Sequence, residues 1–156
     1  MTAFSLRDMR EGDLPVLFAI QADTGAQLMA AFADTSNDRD AYIRKWSRIL
    51  AADGTAKKVI VVEDEVIGSI SSFELDGETD VTYWIRHDFW GRGIATEALS
   101  ELLKEVSVRP IFGRTAHDNV GSMRVLERNG FVRVREEESF ALARRSRITE
   151  VVFRLD

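Results

Sequence analysis

The order of strand-like and helix-like periodicity along the chain constrains its fold more than any other feature. Apolar residues recur at helical spacing in two early segments and then alternate with polar residues in three closely spaced segments. Short turns between those three segments predict an antiparallel meander, and the strand-helix repeats that follow predict a mixed sheet. In chain order, the pattern predicts a strand at 4–9, helices from 14 and at 40–50, strands at 58–62, 66–75 and 81–85, a helix at 95–106, a strand at 111–116, a helix at 120–128, and strands at 131–135 and 148–155.

Residues that favour turns and helix caps mark the ends of these segments. Asp13 precedes the first helix, where a carboxylate commonly accepts a hydrogen bond from the first turn, and Pro15 is tolerated within that turn. We predict that the second helix ends at the turn formed by Asp53 and Gly54. Because the 156 residues contain no repeat or low-complexity linker, we predict one α+β domain over residues 1–156, with helices flanking a mixed, mostly antiparallel sheet.

Composition excludes several classes of function. The chain has no cysteine, so it forms no disulfide and no cysteine-bound acyl intermediate, and its two histidines, His87 and His117, are too far apart in sequence to predict a metal site. A net charge of −5 gives no basic footprint for nucleic acid. No segment resembles a signal peptide or approaches the roughly 18 apolar residues of a membrane span. We therefore expect a cytoplasmic protein, a monomer or homodimer, without nucleic-acid, membrane or metal partners.

A glycine-rich turn between the strand at 81–85 and the helix at 95–106 predicts an anion site. Glycines allow close approach of a ligand to the backbone, and the free N–H groups of a first helical turn favour phosphate or pyrophosphate. A P-loop is excluded because no Gly-Lys-Ser/Thr follows, and Thr96 stands where a dinucleotide fingerprint has its third glycine. Asp118 follows the next strand, where a ribose-binding acid would lie, so dinucleotide binding stays an alternative. A plain tight turn is the other alternative. The turn reads Trp90-Gly91-Arg92-Gly93-Ile94-Ala95-Thr96.

A second motif lies at 119–131, where Asn119 and Ser122 occupy the first turn of a helix that ends in Gly130-Phe131. Together with residues 89–99, it resembles the GNAT superfamily of acyl-CoA-dependent N-acetyltransferases, and within it the branch of the ribosomal-protein alanine acetyltransferases. The specific motifs cover about residues 80–131, and the element order is similar over the whole chain. The resemblance implies the single-domain GNAT fold, with a splayed central strand pair and acetyl-CoA as cosubstrate.

The resemblance also implies where coenzyme A binds. In the family, backbone N–H groups of the glycine-rich turn hold the pyrophosphate, and pantetheine pairs with backbone in the gap beside the preceding strand. Asn119 matches the family's asparagine, which contacts the coenzyme arm. The pantetheine contacts correspond to Trp84, Ile85 and Arg86, and the pyrophosphate contacts to Gly91, Arg92, Gly93, Ile94, Ala95 and Thr96.

Attack of an amine on a thioester requires a neutral nitrogen, an oxyanion donor and a proton for sulfur. Many members of the family supply that proton from a tyrosine seven residues after the asparagine, where this chain has Leu126. Ser122 is the polar group nearby, and members of the branch use a serine in place of this tyrosine. We expect Ser122 to act through a hydrogen bond. Asp80 matches the acid that family members often carry on the central strand, and Glu74 is a second candidate for the base. Each is also compatible with a role as a turn or surface acid.

The charges divide unevenly along the chain. Residues 1–108 carry 11 basic and 19 acidic side chains, whereas residues 109–156 carry 10 and 7. An acidic acceptor mouth would attract a cationic amine, and arginines near the motifs could contact phosphates. We therefore predict transfer of the acetyl group from acetyl-CoA to a primary amine in a ternary complex, with a protein N-terminus, a polyamine or a small amine as acceptor. Because the family's tyrosine is missing, the alternative is a non-catalytic acyl-CoA-binding or regulatory module.

Overall fold

The computed structural model describes residues 2–32, 36–52 and 55–156. Within these residues, seven strands form one sheet and five α-helices lie around it. The strands are β1 Ser5–Asp8, β2 Lys57–Val62, β3 Glu65–Leu75, β4 Glu78–Ile85, β5 Ile111–Ala116, β6 Val132–Ala141 and β7 Ser146–Leu155. Their order in the sheet is β1-β2-β3-β4-β5-β7-β6. The helices are α1 Leu14–Gln21, α2 Thr24–Ala30, α3 Arg39–Ala51, α4 Ile94–Glu105 and α5 Val120–Arg128. The predicted α+β class with a mixed, mostly antiparallel sheet is confirmed.

The central strands β4 and β5 separate after a short stretch of pairing. They run parallel and pair only at Thr79 with Ile111 and at Asp80 with Phe112, whereas β4 pairs with β3 along its whole length. Beyond Asp80 a gap opens in the middle of the sheet. The predicted splayed pair is therefore confirmed.

Two apolar clusters hold the helices to the sheet. The larger cluster joins β-strand residues to the buried faces of α4 and α5, and the smaller one joins α1 and α3 to β2. Trp46 of α3 packs against the smaller cluster. Full burial of each large side chain contributes roughly 1.5–3 kcal/mol. The fully buried side chains of the larger cluster include Ile60, Ile67, Ile70, Leu99, Leu102, Ile111 and Leu126.

Asn129, at the end of α5, fixes α4 and α5 relative to each other. Its side-chain amide donates to the carbonyl of Thr96 in α4 at 3.0 Å and to that of Val125 at 2.9 Å. On β5, Gly113 leaves room for Leu126 of α5, since a Cβ there would lie 2.5 Å from a methyl carbon of that side chain. The two helices therefore start at fixed positions beside the gap.

The N-terminal region differs from the prediction. Asp13 does not cap α1, because both of its carboxylate oxygens bind the guanidinium of Arg7, at 2.7 and 2.8 Å, and one also accepts the N–H of Arg10. Helix α2 was not predicted, although the Asp23 carboxylate caps it by accepting the N–H of Ala26. The predicted turn at 53–54 lies outside the described residues.

The last two strands are longer than predicted and form a hairpin whose tip reaches α2. Arg144 in this tip forms a bidentate ion pair with Asp118 at 2.7 and 2.8 Å and donates to the carbonyl of Leu28. The N–H of Ala143 donates to the carbonyl of Ala31. Within the part of the chain that is described, no helix is long and apolar enough to cross a bilayer.

Candidate active site

A cleft of about 1780 Å³ follows the gap between β4 and β5. Its walls are the glycine-rich turn before α4, the end of β4 and the first turn of α5, and it extends to Glu74 on β3 and to Arg114 on β5. It therefore brings together most of the residues that the sequence predicted. The predicted residues that line it are Glu74, Trp84, Ile85, Gly91, Arg92, Gly93, Ile94, Ala95, Thr96, Asn119 and Ser122, whereas Asp80 and Arg86 do not.

The glycine-rich turn has the geometry of an open anion cradle. Gly91 and Gly93 adopt positive φ angles of 75° and 76°, and a Cβ at either would meet nothing within 4 Å. Gly93 is the N-cap of α4 and offers no side chain to the first helical turn. The N–H groups of a first helical turn lack an intrahelical partner, and the residues of this turn line the cleft, which suits the binding of a phosphate.

Phe89 lies between two arginines that have different surroundings. The guanidinium carbon of Arg86 is 5.0 Å from the ring centroid and that of Arg92 is 4.8 Å away. The Arg86 guanidinium forms ion pairs with Glu65 and Asp88, so its charge is neutralised outside the cleft. Arg92 lines the cleft together with Arg124 and Arg128 of α5. These three arginines are therefore the ones near the motifs that an anionic ligand in the cleft could contact.

The backbone of β4 offers only some of its groups to the gap. The N–H of Arg86 donates to Ile67 on β3 at 2.7 Å, and successive residues of a strand direct their backbone groups to opposite sides. The backbone N–H and C=O of Trp84 therefore face β3, and those of Tyr83 and Ile85 face the gap. The carbonyl of Ile85 already accepts the indole N–H of Trp90 at 2.7 Å. The Ile85 N–H and the Tyr83 backbone groups are thus the groups directed toward a ligand in the gap.

The first turn of α5 is held by Asn119 and Tyr83. The Asn119 side-chain oxygen accepts the N–H of Ser122 at 3.2 Å, and its amide donates to the carbonyl of Met29 at 3.4 Å. The Tyr83 hydroxyl lies 2.7 Å from Ser122 Oγ and 3.2 Å from the Ser122 carbonyl oxygen. Burial raises the pKa of Tyr83 to about 12, so its hydroxyl keeps its proton at neutral pH. Leu126 is 1 % exposed and packs into the core.

Tyr83 was not among the predicted site residues, although the sequence contains a signal for it. Alternation along β4 puts Tyr83 on the same face as the buried Val81 and Ile85, which is the face covered by α4 and α5. A tyrosine on that face can reach the helix that carries Ser122. The structure therefore brings a tyrosine to the serine from the sheet, while the helix position expected for it holds Leu126.

Arg114 of β5 is surrounded by four carboxylates. Its guanidinium contacts Asp80 and Glu137 at 3.2 Å, Glu78 at 3.3 Å and Glu150 at 3.4 Å. Asp80 is 2 % exposed, and its Oδ1 atom has no hydrogen-bond partner among the described residues. Burial raises the pKa values of Asp80 and Glu150, although the charge of Arg114 opposes this. Such raised values suit a carboxylate that must accept a proton.

The candidate bases occupy different places relative to the cleft. Glu74 lines the cleft from an exposed position on β3, and Asp80 is buried on β4. Glu150, which the sequence did not single out, lines the cleft from β7 with Arg114. No group of three or more His, Asp or Glu residues within 2–32, 36–52 and 55–156 could hold a metal ion.

Comparison with known proteins agrees with the motifs. The family model described as "Acetyltransferase (GNAT) domain" matches residues 4–132, which is well over half of the chain. No curated protein sequence matches the chain at a significant level. The family predicted from residues 89–99 and 119–131 is therefore confirmed.

Solved structures show the same fold at low sequence identity. A ribosomal-protein-alanine N-acetyltransferase from Brucella melitensis is 21% identical, with a TM-score of 0.84 over 97% of this chain and 98% of that one. The putative acetyltransferase yncA from Salmonella typhimurium, solved with its cofactor acetyl-CoA, is 17% identical, with a TM-score of 0.82 over 99% and 94%. Mycobacterium smegmatis RimJ in complex with CoA-disulfide is 19% identical, with a TM-score of 0.78 over 99% and 82%.

Proposed function

The chain belongs to the GNAT acetyltransferase family, and on that premise we propose that this acetyl-CoA-dependent N-acetyltransferase works by direct attack of a primary amine in a ternary complex. The observation that carries the proposal is the single cleft, which joins an open anion cradle, a gap in the sheet, a hydroxyl pair and a carboxylate cluster. Because the chain has no cysteine, no thiol can take the acetyl group before the amine does.

We assign the coenzyme to the gap side of the cleft. The backbone N–H groups from Gly91 to Thr96 would bind the pyrophosphate, and Arg92, Arg124 and Arg128 would add charge toward phosphate. The N–H of Ile85 is the backbone donor best directed toward pantetheine. Arg86 is poorly suited to that contact, because its N–H donates to Ile67 and its carbonyl accepts the N–H of Phe89 at 2.9 Å.

Ser122 is the proposed donor to the leaving sulfur. Its hydroxyl lies on the first turn of α5 in the cleft, beside the place where pantetheine would end. A serine hydroxyl is a poor acid, so its contribution is a hydrogen bond to developing negative charge. Loss of one such donor typically lowers kcat by about 100-fold or more when the donor is fully engaged.

A carboxylate beside Arg114 or at the rim of the cleft is the proposed base. An amine with a pKa of about 10.4 arrives protonated and must lose a proton before it attacks. Asp80 and Glu150 have pKa values raised by burial, and Glu74 lies at the exposed rim. If one of them is the base, kcat/KM falls as the pH drops through its pKa. The variants Asp80→Asn, Glu150→Gln and Glu74→Gln separate the three, because only loss of the base removes that acidic limb.

The proposed acceptor is a cationic amine. Glu78, Asp80, Glu137 and Glu150 outnumber the two arginines that pair with them, Arg114 and Arg135. Glu74 adds a further carboxylate at the cleft. Such an excess attracts cations before binding. Protein N-termini, polyamines and small amines all satisfy this condition. A cytoplasmic location and a monomeric or homodimeric state stay predictions.

Thiol release tests the proposal directly. The protein is mixed with acetyl-CoA and an alanyl peptide, spermidine or a small amine, and free thiol is followed with DTNB, which detects only coenzyme because the chain has no cysteine. Amine-dependent release is expected. Ser122→Ala should lower kcat while the Kd of acetyl-CoA stays within about twofold, and Ser100→Ala, on the exposed side of α4, is the matched control. Tight acetyl-CoA binding without release for any amine would support the non-catalytic module instead.

A further inference from the structure

We propose that Tyr83 is a positioning residue that directs the hydroxyl proton of Ser122 toward the coenzyme sulfur. The inference rests on the proposed function, in which Ser122 donates to that sulfur. It goes further in assigning a role to a sheet residue that would itself not contact the coenzyme sulfur. The role follows from one hydrogen bond and from the rigidity of the group that makes it.

The 2.7 Å contact between the Tyr83 hydroxyl and Ser122 Oγ fits either hydroxyl as donor, and we assign the donor role to Tyr83 because the coenzyme sulfur would be the acceptor for the Ser122 proton. In the opposite arrangement Tyr83 would donate to the Ser122 carbonyl and accept from Oγ. The Tyr83 hydroxyl has a single proton, and Ser122 offers Oγ at 2.7 Å and its carbonyl oxygen at 3.2 Å. The shorter distance is typical of an O–H···O hydrogen bond, and the longer one is weak. When Tyr83 donates to Oγ, the proton of Ser122 must point away from the phenol. The cleft is then the open direction for it, because Ser122 lines the cleft.

Tyr83 is held more firmly than a surface donor would be. Its ring packs against the larger apolar cluster, and its backbone is part of the β3–β4 ladder, where it pairs with Ile70. Burial raises the pKa of Tyr83 to about 12, so its hydroxyl is a neutral donor at neutral pH. The Ser122 backbone is fixed in turn by the cap of Asn119. Both partners of the hydrogen bond are therefore pre-organised.

The chemistry balances without proton transfer through either hydroxyl. The amine nitrogen forms a bond to the acetyl carbon, and the carbon–sulfur bond then breaks with its electron pair staying on sulfur. The Ser122 O–H donates a hydrogen bond to the resulting thiolate. The thiol has a pKa of about 8.5, far below that of serine, so Ser122 keeps its proton and Tyr83 keeps its own. The proton lost by the amine nitrogen goes to the carboxylate base and then to water. The thiolate takes a proton from water after release.

The thiol of bound coenzyme A gives a readout that needs no acceptor. A donor aimed at sulfur stabilises the thiolate, so it lowers the pKa of the bound thiol, which is measured from thiolate absorbance in the ultraviolet. The protein adds no thiol signal, because it has no cysteine. Its two tyrosines do not interfere at moderate pH, because burial raises the pKa of each to about 12.

The experiment compares wild type, Tyr83→Phe, Ser122→Ala and the double variant. We expect Tyr83→Phe to raise the bound thiol's pKa by about 0.5–1 unit and to lower kcat about 10-fold, with the KM for acetyl-CoA nearly unchanged. In the Ser122→Ala background, the same change should have almost no effect, because Tyr83 acts through Ser122. Tyr42→Phe is the matched control. Burial also raises the pKa of Tyr42 to about 12, but this residue packs against Phe18, with 5.4 Å between the ring centroids.

The outcomes separate the two proposals. If coenzyme A fails to bind wild type, the proposed function is wrong and this inference fails with it. If it binds and Tyr83→Phe leaves the thiol's pKa unchanged, only the inference is wrong. An equal effect of Tyr83→Phe with and without the Ser122 hydroxyl would also overturn it, because that result means a general loss of packing.

Discussion

Three glycine-to-alanine substitutions should differ in stability by an order that the structure sets. A Cβ at Gly68 would overlap the carbonyl oxygen of Trp84 on β4. A Cβ at Gly113 would lie 2.5 and 2.9 Å from the two methyl carbons of Leu126. A Cβ at Gly12 would meet nothing within 4 Å, which makes Gly12→Ala the control. The three sites thus present backbone, side chain and open space to the same methyl group.

The magnitudes follow from what must move. At Gly68 the partner is backbone, so β3 and β4 must separate by about 1 Å locally, and we expect a loss of about 3–5 kcal/mol from strained packing and weakened ladder hydrogen bonds. At Gly113 the Leu126 side chain can rotate at the cost of overpacking, so the expected loss is about 1–3 kcal/mol. Gly12→Ala should be neutral or stabilise by up to about 1 kcal/mol, because alanine restricts the unfolded chain.

Equilibrium denaturation followed by the fluorescence of the three tryptophans measures these differences. Titration calorimetry adds the affinity for acetyl-CoA, which should weaken most in Gly68→Ala because the overlap displaces β4 beside the gap. The reasoning is refuted if Gly68→Ala is as stable as Gly12→Ala, or if Gly113→Ala is the least stable of the three.

Three further predictions concern Asn119 and the buried carboxylates. Asn119→Ala removes the cap of α5, so it should lower the free energy of unfolding by about 1 kcal/mol and weaken acetyl-CoA binding. Unchanged stability and affinity would contradict both roles of this side chain. Arg7 lowers the pKa of Asp13 below 3.8, so the ion pair stabilises the fold above that pH, and this stabilisation is lost as the pH falls through the lowered pKa. In Arg7→Met, the free energy of unfolding should therefore decrease less between pH 6 and 2 than it does in wild type. Burial raises the pKa of Asp80, so its ionisation opposes folding as the pH rises; Asp80→Asn should gain stability relative to wild type from pH 3 to 7, and a constant difference would contradict this.

The parts of the site that depend on contiguous residues could be predicted from the sequence. Gly91 and Gly93 lie in one run between a strand and a helix, so the periodicity change around them already indicates an open helix N-terminus. Asn119 and Ser122 lie three positions apart on one helical turn, which is the spacing of a cap and the N–H it accepts. Local geometry alone determines these contacts.

Contacts between residues that are distant in sequence could not be predicted, because they depend on how strands and helices are arranged in the sheet and on its faces. Tyr83 meets Ser122 because α5 packs over the face of β4 that also buries Val81. Glu150 meets Arg114 because β7 inserts between β5 and β6, against chain order. Alternation along β4 indicates the face on which Tyr83 lies, but no periodic signal indicates that it meets Ser122 or that Glu150 meets Arg114.

Competing partners explain the remaining differences. The sequence predicted Asp13 as a helix cap, but a bidentate guanidinium is a stronger partner for a carboxylate than a single backbone N–H. Helix α2 has only seven residues, too few to show a clear apolar face, and the carbonyls of Leu28 and Met29 near its end are satisfied by Arg144 and Asn119, which are distant in sequence. Tertiary contacts thus decide the structure of this segment.

The separation of β4 from β5 gives the sheet an edge in its interior. Strands at the outer edge of a sheet usually carry charged residues or proline or are short, because their unpaired backbone groups could otherwise pair with strands of other chains. Here the N–H of Ile85 and the backbone groups of Tyr83 lie at the centre of the domain, between two strands that pair at only two positions. A ligand along this edge would act as the missing strand, so coenzyme would be part of the fold as well as a reactant. Saturation at about 100 times Kd would then stabilise the native state by about 2.7 kcal/mol, and amide exchange would slow first at this inner edge.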